Sequence, residues 1–324
     1  MTKKKYTSGY LAIENDRGLK GVFTTLGAGV YSLTLHGKPL ILQPVDRQVY
    51  LSSNQYFGKT MGRVIGRLKK DVKILGKECD LLAGKDGICL HGGGEKSLSF
   101  RDFSGIVFSE GDYNGVMFNY ISPDGECGFP GELDVKITYL IPLSSNELII
   151  KQEATTTKET IISLSNHIYW NIFPDIDVNA YLLMIAATHC GTLQKQSELV
   201  VNTRVVPDYL DFTEGALLKD KLDAIKKHPG EPGTLDHPFL FDQKEPTEPK
   251  VVLDTPRMKI ECYTDYDGVN VYVDVTDTPV KFANGPVKGR RAIAIEPQLF
   301  PTEKRILRPG EVYRHVMRYR ILEK

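Results

Sequence analysis

Leu133-Asp134-Val135-Lys136-Ile137-Thr138-Tyr139 alternates apolar and polar residues without a break. Successive side chains on an extended backbone point to opposite faces, so this stretch reads as a half-buried β-strand. Val269, Val271, Val273 and Val275 alternate with Asn270, Tyr272 and Asp274 in the same way. Further runs with strand character lie at 21–26, 115–121, 147–154, 159–166, 258–263 and 315–322. Turn clusters separate them, such as Ser122-Pro123-Asp124-Gly125-Glu126 and Asp265-Tyr266-Asp267-Gly268. Only 217–227 makes a helix claim: Leu218, Leu222 and Ile225 follow a helical spacing, and Pro229-Gly230 ends it. The Pro-rich, polar segments 228–236 and 243–250 read as surface loops, and no internal repeat is visible. These observations predict one large all-β domain over residues 1–324, a single antiparallel β-sandwich rather than two domains.

Composition narrows the function. The 324 residues are 41% hydrophobic and 25% charged, an ordinary globular balance that excludes a disordered, collagenous or coiled-coil chain. Lys and Arg number 41, as do Asp and Glu, so the chain has no global field for polyanions. That argues against a nucleic-acid binder and against a membrane-surface protein. No apolar window is long enough for a membrane span, and the basic start Met1-Thr2-Lys3-Lys4-Lys5 has no apolar run behind it. The five cysteines at 79, 89, 127, 190 and 262 are scattered, with no Cys-x-x-Cys pair. A reduced, cytoplasmic protein is expected.

Two tempting motifs fail on spacing. Gly92-Gly93-Gly94-Glu95-Lys96-Ser97 lacks the Gly-x-x-x-x-Gly-Lys-Ser/Thr pattern of a phosphate loop. Asp175-Ile176-Asp177-Val178-Asn179 starts like a calcium loop, but Ala180 and Ala186 stand where the turn glycine and the closing glutamate belong. No nucleotide, metal or other cofactor is expected.

Four other stretches are unusually dense in polar side chains: Gly62-Arg63-Val64-Ile65-Gly66-Arg67, Leu90-His91-Gly92-Gly93, Ser165-Asn166-His167-Ile168-Tyr169-Trp170 and Ala294-Ile295-Glu296-Pro297-Gln298. In this order the chain resembles the aldose 1-epimerases (galactose mutarotases). That family carries Gly-Arg-x-x-Asn-Arg, Leu-His-Gly-Gly, Asn-His-x-Tyr-Phe-Asn-Leu and Glu-Pro-Gln. Leu210-Asp211-Phe212 and Leu235-Asp236-His237-Pro238-Phe239 fit two further family segments. The resemblance runs from about Asn15 to the C-terminus. It implies a large antiparallel β-sandwich that interconverts the α and β anomers of an aldohexose, with a small-molecule sugar as partner and a monomer or homodimer as assembly. It further implies Glu296 as general base and His167 as general acid, with Arg67, His91 and Asp236 holding the sugar. The chain departs from the pattern at Gly66 (family Asn), at Asn270 (family Gln), at Phe103 (family Trp) and at Pro301-Thr302 (family Pro-Asp). These departures bear on sugar contacts rather than on the acid and base.

The chemistry fits these residue types. Anomer exchange takes a proton from the C1 hydroxyl while giving one to the ring oxygen; the open aldehyde then turns about C1–C2 and recloses. A carboxylate and an imidazole on opposite sides of one small volume would serve both directions. If 163–169 is a strand, His167 and Tyr169 share a face opposite Leu164 and Ile168. By the same rule Glu296 opposes Ile293 and Ile295, and Asn270 lies with Tyr272 opposite the valines. Asn270 is therefore expected in the binding site, and Tyr169, Trp170 and Tyr272 are expected to lay aromatic faces against the sugar's C–H groups.

Competing readings use nearby residues. Arg63 competes with Arg67 for the sugar, while His36, His189, His228, His237 and His315 read as structural or exposed. A metal site built from two histidines and a carboxylate is disfavoured, because mutarotation needs no metal. A hexose-phosphate enzyme would need a cationic cradle from Arg63, Lys69 and Lys70. A sugar-binding protein without catalysis would have no need of the His167/Glu296 pair.

Overall fold

A computed structural model describes residues 8–74, 76–172, 177–191, 203–242, 247–274, 280–285, 291–301 and 303–324. Val275, Thr302, Asp175 and part of the 243–250 loop, on which expectations were placed, lie outside these described residues. The described chain is β-rich, and its strand ladders are antiparallel, as the alternation predicts. The Leu133–Pro142 strand sits between Tyr113–Ser122 and Glu147–Thr156, burying Val135, Ile137 and Tyr139 while Asp134 faces out. These three belong to a nine-stranded sheet that continues through Tyr313–Glu323, Met258–Thr264, Val251–Asp254, Leu182–Ile185 and Ala216–Leu217, with Ser104–Glu110 at its other edge.

A six-stranded sheet covers it, in the order Tyr169–Trp170, Ile293–Gln298, Gly268–Val273, Asp236–Leu240, His189–Gly191 and Thr203–Val205. Val135, Ile137, Ile150 and Tyr319 of the first sheet share one apolar cluster with Val269, Val271, Val273, Ile293 and Ile295 of the second. Each such side chain contributes roughly 1.5–3 kcal/mol by leaving water, which decides which face of each strand turns inward. The Tyr319 hydroxyl crosses the interface and donates to the Ile295 carbonyl at 3.0 Å. The opposite face of the six-stranded sheet is then left to Asn270, Tyr272, Ala294, Glu296 and Gln298.

The helix spans Leu218–Ile225, with Leu218, Leu222 and Ile225 buried. A second short helix, Arg47–Ser52, has no strong periodicity; the Asp46 carboxylate caps it by accepting from Gln48 N at 2.8 Å. The strand expected over 159–166 is broken into Thr160–Ile161 and Ser165–Asn166. Its neighbours change along its length: Ile162 N donates to Arg305 O, Ser163 N to Arg63 O, and Asn166 pairs with Thr60. Ile65, Gly66 and Arg67 are thereby brought beside Asn270, Tyr272 and Glu296 on the outer face of the six-stranded sheet. No helix among the described residues is long and apolar enough to cross a membrane.

Candidate active site

The strand register sets the floor of a cavity of about 220 Å³. Asn270 pairs with Glu296, Tyr272 pairs with both Ala294 and Asp236, and Tyr169 pairs with Ala294. Four strands thus project Asp236, Asn270, Tyr272, Glu296 and Tyr169 into one volume. His167 enters just before Tyr169, held by its backbone N–H on the Lys59 carbonyl at 3.0 Å and by its carbonyl on Gly58 N at 2.9 Å.

His167 Nε2 lies 2.9 Å from Glu296 Oε1, and both side chains are almost wholly buried, at 7% and 3% exposure. The approach is out of line for a hydrogen bond, so Glu296 Oε1 is buried without a hydrogen-bond partner; His167 Nδ1, on the other side of the ring, is likewise buried without one. Close contact without hydrogen bonding leaves both groups open to a third one. Glu296 is steadied on its other oxygen, where Asn270 Nδ2 donates to Oε2 at 3.3 Å. The same amide nitrogen donates to Asp236 Oδ1 at 3.0 Å, and Arg67 Nη2 donates to Asp236 Oδ2 at 3.2 Å. Arg67, Asp236, Asn270, Glu296 and His167 therefore form one connected polar line.

His91 closes the other wall. Gly66 N donates to its Nδ1 at 3.1 Å, so in the neutral ring the proton sits on Nε2. Burial holds its pKa well below 6.5, and the nearby His167 and Arg67 push in the same direction. Tyr56 stacks on the His167 ring at 6.3 Å and meets His91 edge-on at 4.9 Å; burial pushes its hydroxyl up to about 12. Tyr169 lies 4.6 Å from the His167 ring, and burial raises its hydroxyl well above 10. Gly66 has φ +83°, and a Cβ there would meet nothing within 4 Å. Among the described residues no three His, Cys, Asp or Glu side chains gather as metal ligands would.

A model of the aldose 1-epimerase family matches residues 10–320. The chain belongs to that family. The galactose mutarotase of Mus musculus is 31% identical over 301 residues, covering 85% of this chain and 82% of the relative. The galactose mutarotase of Homo sapiens is 30% identical over 298 residues, with the same coverage. The crystal structure of an aldose epimerase homologue from C. elegans superposes with a TM-score of 0.84 at 25% identity, over 98% of this chain and 99% of that one. The chain is accordingly an isomerase, an aldose 1-epimerase.

Of the residues expected at the site from the epimerase resemblance and from strand alternation, His167, Glu296, Arg67, His91, Asp236, Asn270, Tyr169 and Tyr272 line one cavity. Trp170 does not, which corrects the expectation placed on it. It is fully buried on the opposite face of the sheet, its ring 5.0 Å from that of Tyr319 in the inter-sheet core. Adjacent residues on a strand cannot share a face, so once Tyr169 faces the cavity Trp170 must face the core. Arg63 is also settled: its donors go to the Pro130, Gly131, Ser122 and Pro123 carbonyls and to the Ser122 hydroxyl, inside the protein. His237 is fully buried against Glu231 at 2.8 Å, whose carboxyl it holds down to about 2, a structural role.

His167 and Glu296, expected as acid and base, differ from expectation in one respect. Its members stand side by side rather than across the cavity from each other. The C1 hydroxyl and ring oxygens are bonded to the same carbon, so adjacent partners suit them. Tyr56, Gln298 and Arg305 also line the cavity and were not singled out. Gln298 could have been found, since it lies two residues from Glu296 on the same face; Tyr56 comes from a turn and Arg305 from the short 3-10 helix Glu303–Arg305, neither of which carries a periodic signal.

Proposed function

We propose that this aldose 1-epimerase exchanges the anomers of galactose and glucose by general acid–base ring opening. The observation that carries the reading is the buried contact of His167 Nε2 with Glu296 Oε1, with no hydrogen bond between them. Glu296 takes the proton of the C1 hydroxyl while protonated His167 gives its Nε2 proton to the ring oxygen. The C1–ring-oxygen bond breaks and leaves an open aldehyde with a free hydroxyl. Rotation about C1–C2 presents the other aldehyde face; His167 then recovers its proton as the ring closes, and Glu296 returns the other to O1. Atoms and protons balance, with no change of oxidation state.

Arg67, Asp236, Asn270 and His91 supply donors and acceptors for the ring hydroxyls, and Tyr169 and Tyr272 supply faces for its C–H groups. A neutral sugar is favoured over a hexose phosphate. Arg63 spends its donors inside the protein, and Lys70 is paired with Asp80 at 3.1 Å. Galactose is placed first because the mouse and human relatives are galactose mutarotases. Polarimetry of freshly dissolved α-D-galactose and α-D-glucose tests the reading. Acceleration by catalytic amounts of protein is expected, and an unchanged rate with both sugars would refute it.

A further inference from the structure

We propose that Gln298 is a second substrate-contact residue, holding through its amide NH₂ a ring hydroxyl oxygen remote from C1, and that Arg305 positions it. The inference rests on the aldose reading above. Gln298 follows Glu296 by two positions on the Ile293–Gln298 strand, so it shares that face roughly 6.5 Å further along. It lines the same cavity and is only 5% exposed. Arg305 Nη2 donates to Gln298 Oε1 at 3.0 Å. A guanidinium has donors and no acceptor, so the amide oxygen must be the atom that faces it. The NH₂ is then turned away from Arg305, and it finds no acceptor among the described residues.

Arg305 is itself locked. Its Nε and Nη2 donate to the Leu299 carbonyl at 3.0 and 2.8 Å, and it is 2% exposed. Its Nε and Nη2 are thus occupied, which leaves the Gln298 amide as the donor this end of the cavity presents to a ligand oxygen. Ser163 fastens the local walls, accepting Ile65 N on its carbonyl at 2.9 Å and Leu299 N on its hydroxyl at 3.2 Å. Beside Ile65, Gly66 leaves open space in the same wall.

The test pairs enzyme variants with deoxy sugars. KM and kcat are measured by polarimetry for galactose and its 2-, 3-, 4- and 6-deoxy forms, with wild type, Gln298→Met and Arg305→Met. In wild type, every deoxy sugar that lacks a contacted hydroxyl is expected to show a raised KM, and the one that lacks the partner of Gln298 a KM raised about two- to tenfold, the worth of one neutral hydrogen bond. Gln298→Met should raise KM for galactose by a similar factor, with kcat within about threefold, and add nothing for that one deoxy sugar. Arg305→Met should give the same pattern. If Gln298→Met does not fold, Gln298→Glu keeps the Arg305 contact but can only accept from the sugar hydroxyl, so its KM should change for the sugars that keep that hydroxyl and stay at the wild-type value for the one deoxy sugar that lacks it. A purely structural role would raise KM for every sugar by one factor, and that result, or an unchanged KM, overturns the contact. A wild-type protein inactive on every aldose would overturn the functional reading with it.

Discussion

Arg67 Nη2 meets Asp236 Oδ2 at 3.2 Å across 169 positions of chain, and Asp236 passes the contact to Asn270 and so to Glu296. The Arg67 side chain is 42% exposed, so the pair adds at most about 1 kcal/mol to stability. Its value lies in fixing a carboxylate at the cavity wall. Asp236→Asn should raise KM for galactose about ten- to a hundredfold, the range for one charge-assisted hydrogen bond, with kcat within a few-fold. A thermal melt should move little. An unchanged KM would remove Asp236 from the sugar's contacts.

Glu296→Gln keeps the shape of the side chain but cannot accept a proton at useful pH. A positioned general base is worth ~10²–10⁴ in rate, so kcat should fall at least a hundredfold while sugar still binds. The double variant with His167→Asn should be only slightly worse than either single one, because the two act on one transition state. Polarimetry gives kcat, and calorimetric titration with galactose gives binding. Activity within about threefold of wild type would end the mechanism.

Gly66→Asn should fold normally. Asparagine tolerates a positive φ better than most residues, and no atom stands within 4 Å of the added Cβ. The new amide should alter KM for at least one hexose and leave kcat within a few-fold. Gly66→Val, at the same φ of +83°, should instead lower stability by about 1–2 kcal/mol in urea melts. If no sugar tested responds to Gly66→Asn, position 66 does not face the substrate.

His91 makes acid stability a test of its burial. Its folded pKa lies below 6.5, so between the two values the unfolded chain holds more protons. Its contribution to stability is therefore present above about pH 6.5 and is lost as pH falls towards the depressed folded value. Urea denaturation at steps from pH 7.5 to pH 5 should show stability falling, and His91→Gln should flatten that slope. A variant with the wild-type slope would mean that His91 titrates normally in the fold.

Trp170 is the only tryptophan in the chain, and it reports on the core rather than on the site. Its fluorescence should be blue-shifted, poorly quenched by iodide and unchanged by galactose. Trp170→Ala should cost about 3–5 kcal/mol of stability. A large change in emission on adding sugar would place its ring against the ligand after all.

Strand alternation alone was enough to separate the two faces of the Leu133–Pro142 and Gly268–Val273 strands, because period two leaves one face apolar. The ordered motifs around Arg67, His91, His167, Asp236 and Glu296 pointed to the family and to the residues that gather in the cavity. Even the inward turn of Trp170 was implicit in that alternation, since Tyr169 was already assigned to the polar face. What the linear chain does not contain is the meeting of segments far apart along it. Only the tertiary structure decides that His167 touches Glu296 rather than opposing it, that Arg63 is spent on carbonyls while Arg67 reaches Asp236, and that Arg305 turns the Gln298 amide towards the cavity. The periodicity of a strand is set by its own backbone; which partner a side chain finds is set by the register and packing of strands and loops that share no local signal.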